Sequence, residues 1–139
     1  MFYFDTSALV PAFIGEAATE RVLALMAERG GEGIAISPWT LTEFSSALAL
    51  KHRIGEIDDA LLAAALAEWR VLADALQMLP IGEGAFREAA ALCQRRDHGL
   101  RAGDALHLAV AAAHGAAMVT LDERLERAAA GLGVEVVRV

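Results

Sequence analysis

Residues 1–10, MFYFDTSALV, decide how the rest of the chain is read. The apolar run Phe2-Tyr3-Phe4 breaks on Asp5-Thr6-Ser7 and resumes as Ala8-Leu9-Val10. A short, unbroken apolar run ended by turn-forming residues suits a strand buried on both faces. The break itself has two readings. Either Asp5 or Ser7 caps the helix that follows, or the strand delivers a carboxylate to the rim of a sheet.

Working outward, the pattern repeats. After a strand at 2–5 the spacing predicts a short helix over 7–14. A second helix spans Glu16 to Arg29, with Val22, Leu23, Leu25 and Met26 on its apolar side and Gly30-Gly31 stopping it. Residues 33–37, GIAIS, read as a strand. Ser37 then stands as an N-cap with Pro38 at the first helical position, opening a helix to Arg53. Asp58 or Asp59 opens a long Ala/Leu helix to Leu76, and QMLPI (77–81) reads as a third strand. A helix over 84–97 leads into a loop at Asp97-His98-Gly99. GDALHLAVAAAHG (103–115) is apolar nearly all round, the mark of a central buried helix. AAMVT (116–120) reads as a strand, 123–130 as a helix and VEVVRV (134–139) as a closing strand. Short apolar strands alternating with helices give an α/β fold with a parallel sheet covered on both faces.

Composition narrows the class. The 139 residues fit one domain, 1–139, and are 56% hydrophobic with a mean hydropathy of +0.42. No apolar run reaches the ~18 residues of a membrane span, and the first residues lack the basic start and cleavage site of a leader peptide. The apolar surplus therefore points to surface covered by a second copy or another partner. The single cysteine, Cys93, excludes an internal disulfide, suits the reducing cytoplasm and reads as a small core residue. The net charge of −7 argues against whole-surface attraction to nucleic acid but leaves room for a local basic rim. Lys51 is the only lysine, so every other basic side chain apart from histidine is the arginine fork that suits phosphate.

Four acids occupy places where ligands bind in α/β proteins, outside the carboxyl ends of the strands. Asp5 ends the first strand, and Asp122 follows the strand that ends at Thr120. Asp104 starts the buried helix, and Glu43 lies on the helix that leaves the second strand. At 100° per residue Glu43 shares a stripe with Trp39, Ala47 and Leu50, where a carboxylate needs compensation. Taken singly, Asp5, Asp104 and Asp122 read equally well as helix caps, and Glu43 as a surface residue that snorkels to water. Taken together they form a like-charged cluster that needs a counter-ion, and all-oxygen donors suit Mg²⁺ or Mn²⁺. A metal with open positions suits phosphodiester hydrolysis. No Gly-rich phosphate loop, G-x-S-x-G elbow or HExxH is present.

FDTSAL, the Glu43 helix, GDALHLA and VTLDERL together resemble the motif set of PIN-domain ribonucleases, most of all the VapC-type toxins of bacterial toxin–antitoxin pairs. The resemblance spans essentially the whole chain. It implies a three-layer sandwich around a parallel sheet of about five strands, and a homodimer. It also implies an Mg²⁺- or Mn²⁺-dependent endoribonuclease with RNA as substrate and a cognate antitoxin as partner. On this likeness the acidic quartet falls on Asp5, Glu43, Asp104 and Asp122, both as metal ligands and as catalytic residues. Thr6 and Thr120 are its supporting hydroxyls, with Ser7 left mainly to capping.

Other residues carry plainer readings beside functional ones. His107 and His114 sit seven apart on one helix face but lack a third zinc ligand, so they read as core or interface histidines. Arg101 reads as a surface arginine before a phosphate contact, and Arg95-Arg96 as a charge pair favoured at a helix end. Trp39 and Trp69 read as core or partner-groove packing. Leu9, Val10 and Phe13 divide evenly between core and an apolar groove for an antitoxin. A phosphatase would need an acid where Ser7 stands, and a receiver domain a lysine after a late strand, far from Lys51. A housekeeping RNA-processing nuclease and a non-catalytic interaction module of the same fold remain the alternatives.

Overall fold

Successive residues of a strand point to opposite faces of a sheet, and the first strand uses both faces. In the computed structural model, which describes residues 1–97 and 99–139, Phe2 and Phe4 enter one hydrophobic cluster and Tyr3 the other. This strand, β1 (Phe2–Phe4), is the centre of a five-stranded sheet. The helices α1 (Thr6–Leu9), α2 (Pro11–Ile14) and α3 (Thr19–Arg29) follow it, then β2 (Ile34–Ile36). Next come α4 (Pro38–Arg53), α5 (Asp59–Ala75) and the short β3 (Gln77–Met78). The chain closes with α6 (Glu83–Gln94), α7 (Ala102–His114), β4 (Ala117–Val119), α8 (Glu123–Gly131) and β5 (Val136–Val137).

Strand order is β3-β2-β1-β4-β5, and every pairing is parallel. The register sets Phe2 opposite Ile34 on one side and Ala117 on the other. The chain builds outward from β1 to β3, then returns to β1's other edge with β4. The boundary between β1 and β4 is therefore the topological switch point, where α/β sheets open a crevice at their carboxyl ends.

Each face has its own helical layer. Tyr3, Ala35 and Met118 pack beneath α6, α7 and α8, with Ala105 to Ala111 of α7 wholly buried, as its all-round apolar sequence requires. On the opposite face Phe4, Ile36 and Val119 meet Leu9, Phe44, Leu48 and Trp69. Phe44 stacks on Trp69 with ring centroids 4.2 Å apart, and Phe13 meets both edge-on. Leu9, Val10 and Phe13 thus belong to core packing rather than to an open groove. Trp69 is core as well.

Local chemistry accounts for the boundaries. Pro11, which has no amide hydrogen, divides the single helix expected over 7–14 into two short ones. Ser37 and Thr40 form a reciprocal capping box at the start of α4, with Pro38 at its first position. Asp58 caps α5 through the Leu61 amide at 2.8 Å. The second helix begins at Thr19 rather than Glu16, because the Glu16 amide donates to Thr19 Oγ1 (2.8 Å) and makes a turn there. The loop at Asp97-His98-Gly99 has its central residue outside the described residues.

Three expectations from the sequence need correction. On α3 Val22 is buried and Leu25 and Met26 pack against the core as expected, but Leu23 is 48% exposed. The buried stripe of α4 is Thr40, Phe44 and Leu48, one position on from the stripe expected through Glu43, and Leu50 lies in solvent. Cys93 is exposed rather than core. The face that α6 buries is centred on Ala85, Ala89 and Leu92, and position 93, about 80° round from Ala85, falls at its margin and is left exposed.

The Phe44–Trp69–Phe13 cluster ties α4, α5 and α2 to one face of the sheet. Phe44→Ala should therefore lower unfolding stability by about 3–5 kcal/mol in urea titration. A loss under ~1 kcal/mol would mean that this layer closes without it.

Candidate metal centre

Asp5 follows β1 directly, and its amide donates to Val119 O (3.1 Å), locking the ends of the two central strands together. The side chain is only 4% exposed. Its Oδ1 accepts the Ala8 amide (3.0 Å), so Asp5, not Ser7, caps α1. Ser7 Oγ donates to the carboxylate (2.8 Å), and Thr120 Oγ1 donates to Oδ2 (2.8 Å). Ser7 Oγ also accepts the Leu121 amide (2.9 Å), and Thr120 Oγ1 accepts the Asp122 amide (3.0 Å). Burial pushes the Asp5 carboxyl above its ordinary range. The charge of His107, the two hydroxyls and the Ala8 amide oppose that without cancelling it.

Thr6, expected as a supporting hydroxyl of the quartet, lies beside Glu43 rather than Asp5. Its hydroxyl is buried and makes no bond to Asp5; with Trp39 Nε1 it sits where it favours the Glu43 carboxylate. Neither atom has a hydrogen bond of ordinary geometry. The brace on Asp5 is Ser7, together with Thr120.

Glu43 lies on α4 at the margin of its buried stripe, facing α7. Its Oε2 accepts His107 Nε2–H at 2.7 Å. Burial pushes the Glu43 carboxyl up, but the bond and charge of His107, with Thr6 and Trp39, outweigh that and hold it below the ordinary range. Its other oxygen rests on Gly103. A Cβ there would stand 2.7 Å from Oε1 and 3.3 Å from Trp39 Cζ2, so the missing side chain makes room for the acid.

Asp104 is the third residue of α7, and its Oδ2 accepts the Arg101 amide at 3.4 Å. Its carboxyl is raised, first by burial and then by the charges of Asp122 and Glu43. Asp122 caps α8, accepting the Arg124 amide (2.7 Å) and the Leu125 amide (3.0 Å) through Oδ1. Three of the acids are thus helix caps or first-turn acids and, with Glu43, line the switch-point edge, close enough for Asp104 to feel two of the others. Each of the four uses at least one oxygen on a protein partner, and among the described residues no three His, Cys, Asp or Glu side chains converge on one point as metal ligands.

The residues still fit a hard cation in kind. The donors are carboxylate oxygens, their mutual repulsion calls for positive charge, and the buried Thr6 hydroxyl beside them lacks a partner. Arg101 is exposed at the head of α7, and Arg124 donates to Gly99 O (3.3 Å). His114 donates to Pro80 O (3.1 Å) and shares no partner with His107.

A family model described as the PIN domain matches residues 2–131. The chain belongs to the PIN-domain family. Membership places it among nucleases that hydrolyse nucleic-acid backbones. Its fold is that of FitAcB from Neisseria gonorrhoeae, 22% identical, with 98% of this chain and 96% of that one covered at a TM-score of 0.74. VapC20 of Mycobacterium tuberculosis, described as a sarcin–ricin loop cleaving toxin, is 18% identical over all of both chains, again at 0.74. VapBC2 of Rickettsia felis, solved on a promoter DNA fragment, is 15% identical over 99% and 98% of the chains, also at 0.74. At these identities the likeness concerns the fold. No curated protein gives a significant match.

Sequence reasoning missed the partners of Glu43. Gly103 and His107 lie within the GDALHLA stretch, but His107 reads there only as a core or interface histidine, and Tyr3 behind it carries no motif. The available signal was chemical: a tyrosine between two phenylalanines in a buried strand, and a histidine in an apolar helix, each need a polar partner.

The raised Asp104 carboxyl gives a pH test within this PIN domain. A group with a raised folded-state pKa adds stability below its ordinary value of 3.8 and loses that contribution as pH rises through the folded value. At pH 7 the charged Asp104 is therefore a burden on the fold. Asp104→Asn should raise the melting temperature at neutral pH, and the gain should shrink towards zero below about pH 4. A variant less stable than wild type at pH 7 would contradict this electrostatic picture.

Proposed function

We propose that this PIN domain is an Mg²⁺- or Mn²⁺-dependent endoribonuclease, the toxin of a toxin–antitoxin pair, with the whole chain acting as one domain. One observation carries the reading. Asp5, Glu43, Asp104 and Asp122, drawn from distant parts of the sequence, line the switch-point edge of the sheet in a chain that matches the PIN family. The ion would be held by these four acids. Bound there, it lowers the pKa of water, polarises a phosphoryl oxygen and offsets developing charge.

The chain's own residues do the rest. Ser7 and Thr120 hold Asp5 in one orientation, so that this ligand loses little freedom on binding. Glu43, kept ionised by His107 and its neighbours, supplies charge at neutral pH. Arg101 and Arg124, beside Asp104 and Asp122, are the nearest arginines in sequence to the quartet and offer phosphate contacts to an RNA strand in an otherwise acidic protein.

The toxin reading draws support from neighbours of the same fold that are toxins or toxin–antitoxin complexes. Surface apolar residues support a covered face, whether by an antitoxin or by a second copy. Leu41, Leu62 and Leu66, with Ser45, Arg70 and Asp74, line a cleft of about 480 Å³ between α4 and α5. No helix among the described residues is long and apolar enough to cross a membrane.

The test is metal and cleavage together. Mn²⁺ at 100 times its dissociation constant should stabilise the protein by about 2.7 kcal/mol. Asp5→Asn and Asp104→Asn should lose that gain and cut RNA cleavage by at least about 10²-fold while remaining folded. Cleavage at wild-type rate by Asp104→Asn would refute the assignment. No Mn²⁺-linked stabilisation in the wild type would favour a non-catalytic interaction module.

A further inference from the structure

His107 is 1% exposed in a helix turn otherwise filled by Ala105, Leu106, Leu108 and Ala109. Both ring nitrogens are used: Nε2 lies 2.7 Å from Glu43 Oε2, and Nδ1 lies 2.7 Å from the Tyr3 hydroxyl. A carboxylate only accepts, so the proton of this contact resides on Nε2. Nδ1 faces the Tyr3 hydroxyl, and the Tyr3 oxygen lies 2.8 Å from Ser37 Oγ. Ser37 lies in turn 3.3 Å from Thr40 Oγ1. The chain of contacts is buried from Ser37 to His107 and ends on the one partly exposed member, Glu43.

We propose that His107, backed by Tyr3, is a positioning residue that holds Glu43 by Oε2, so that Oε1 alone, resting against Gly103, is presented at the acid edge as a single-oxygen ligand. The inference deepens the metal reading above and rests on it. Two features distinguish it from simple core filling. An apolar side chain would fill the same space in α7 without a buried polar atom that must be satisfied. The residue beneath Glu43 is also a glycine, and any larger residue would push Oε1 from the place where His107 sets it. Outer partners of metal ligands act in this way, by fixing the orientation of the ligand.

The test uses the full chain and Mn²⁺ alone, by calorimetric titration without RNA. His107→Ala should weaken Mn²⁺ binding about 10–100-fold, and His107→Gln, which keeps an N–H donor, should recover most of that loss. Tyr3→Phe, which leaves the contact to Glu43 in place, should weaken binding less than His107→Ala. In a Glu43→Gln background the His107→Ala step should cause no further loss. An equal loss in both backgrounds, or no recovery with His107→Gln, would overturn the proposal. If His107→Ala does not fold, His107→Gln and Tyr3→Phe carry the same comparison. A readout without metal separates this from the function itself. Imidazole ¹⁵N–¹H spectra should show a slowly exchanging Nε2–H in the wild type that is lost in Glu43→Ala, and its absence from the wild type overturns the hold. A wild type that shows this proton but takes no Mn²⁺ would sink the metal reading and leave the hold on Glu43 standing.

Discussion

A carboxylate almost out of reach of water, at the end of the central strand, is the constraint around which this protein is arranged. Burying an ionised acid costs several kcal/mol unless donors surround it. Asp5 receives an amide from the first turn of α1 and hydroxyls from Ser7 and Thr120. Those hydroxyls in turn accept the amides of Leu121 and Asp122. The start of α1, the ends of β1 and β4, and the approach to α8 are therefore held together through one side chain. Truncation of Asp5 to alanine would remove all of these acceptors at once.

The other acids are accommodated by different means. Asp122 and Asp104 lie at the positive ends of helices, where negative charge is favoured. Glu43 has no helix terminus to lean on and is satisfied instead by a histidine from the facing helix. The three devices leave the cluster short of neutral, as the raised Asp104 shows. Retained repulsion of this kind is expected where a fold gives up stability for a binding site. It also explains why the acids turn to protein partners rather than to one another.

Much of the fold was legible in the chain. The alternation of short apolar runs with helices, the Ser37-Pro38 start and the Asp58 cap all appear where their chemistry placed them, because each depends on neighbours within a few residues. The failures have a common origin. Leu23 and Cys93 are apolar enough for a core, but which stripe of a helix is covered depends on what packs against it. α6 turns Ala85, Ala89 and Leu92 inward and leaves Cys93 out. Asp5 and Ser7 were both credible caps by type; only three-dimensional contacts show that Asp5 accepts the amide while Ser7 and Thr120 brace it.

By itself, then, the sequence determined the α/β class, the elements and the four acids at the ends of strands and the starts of helices, since local patterning and capping settle these. The tertiary structure alone decided that β1 and β4 are neighbours, that the four acids share one edge, and that Tyr3 and His107 stand behind Glu43. Tyr3 and His107 are 104 residues apart, and His107 and Glu43 are 64 apart. Hydrogen bonds across such separations leave no periodicity to read, because they form only after the sheet has brought its helices together.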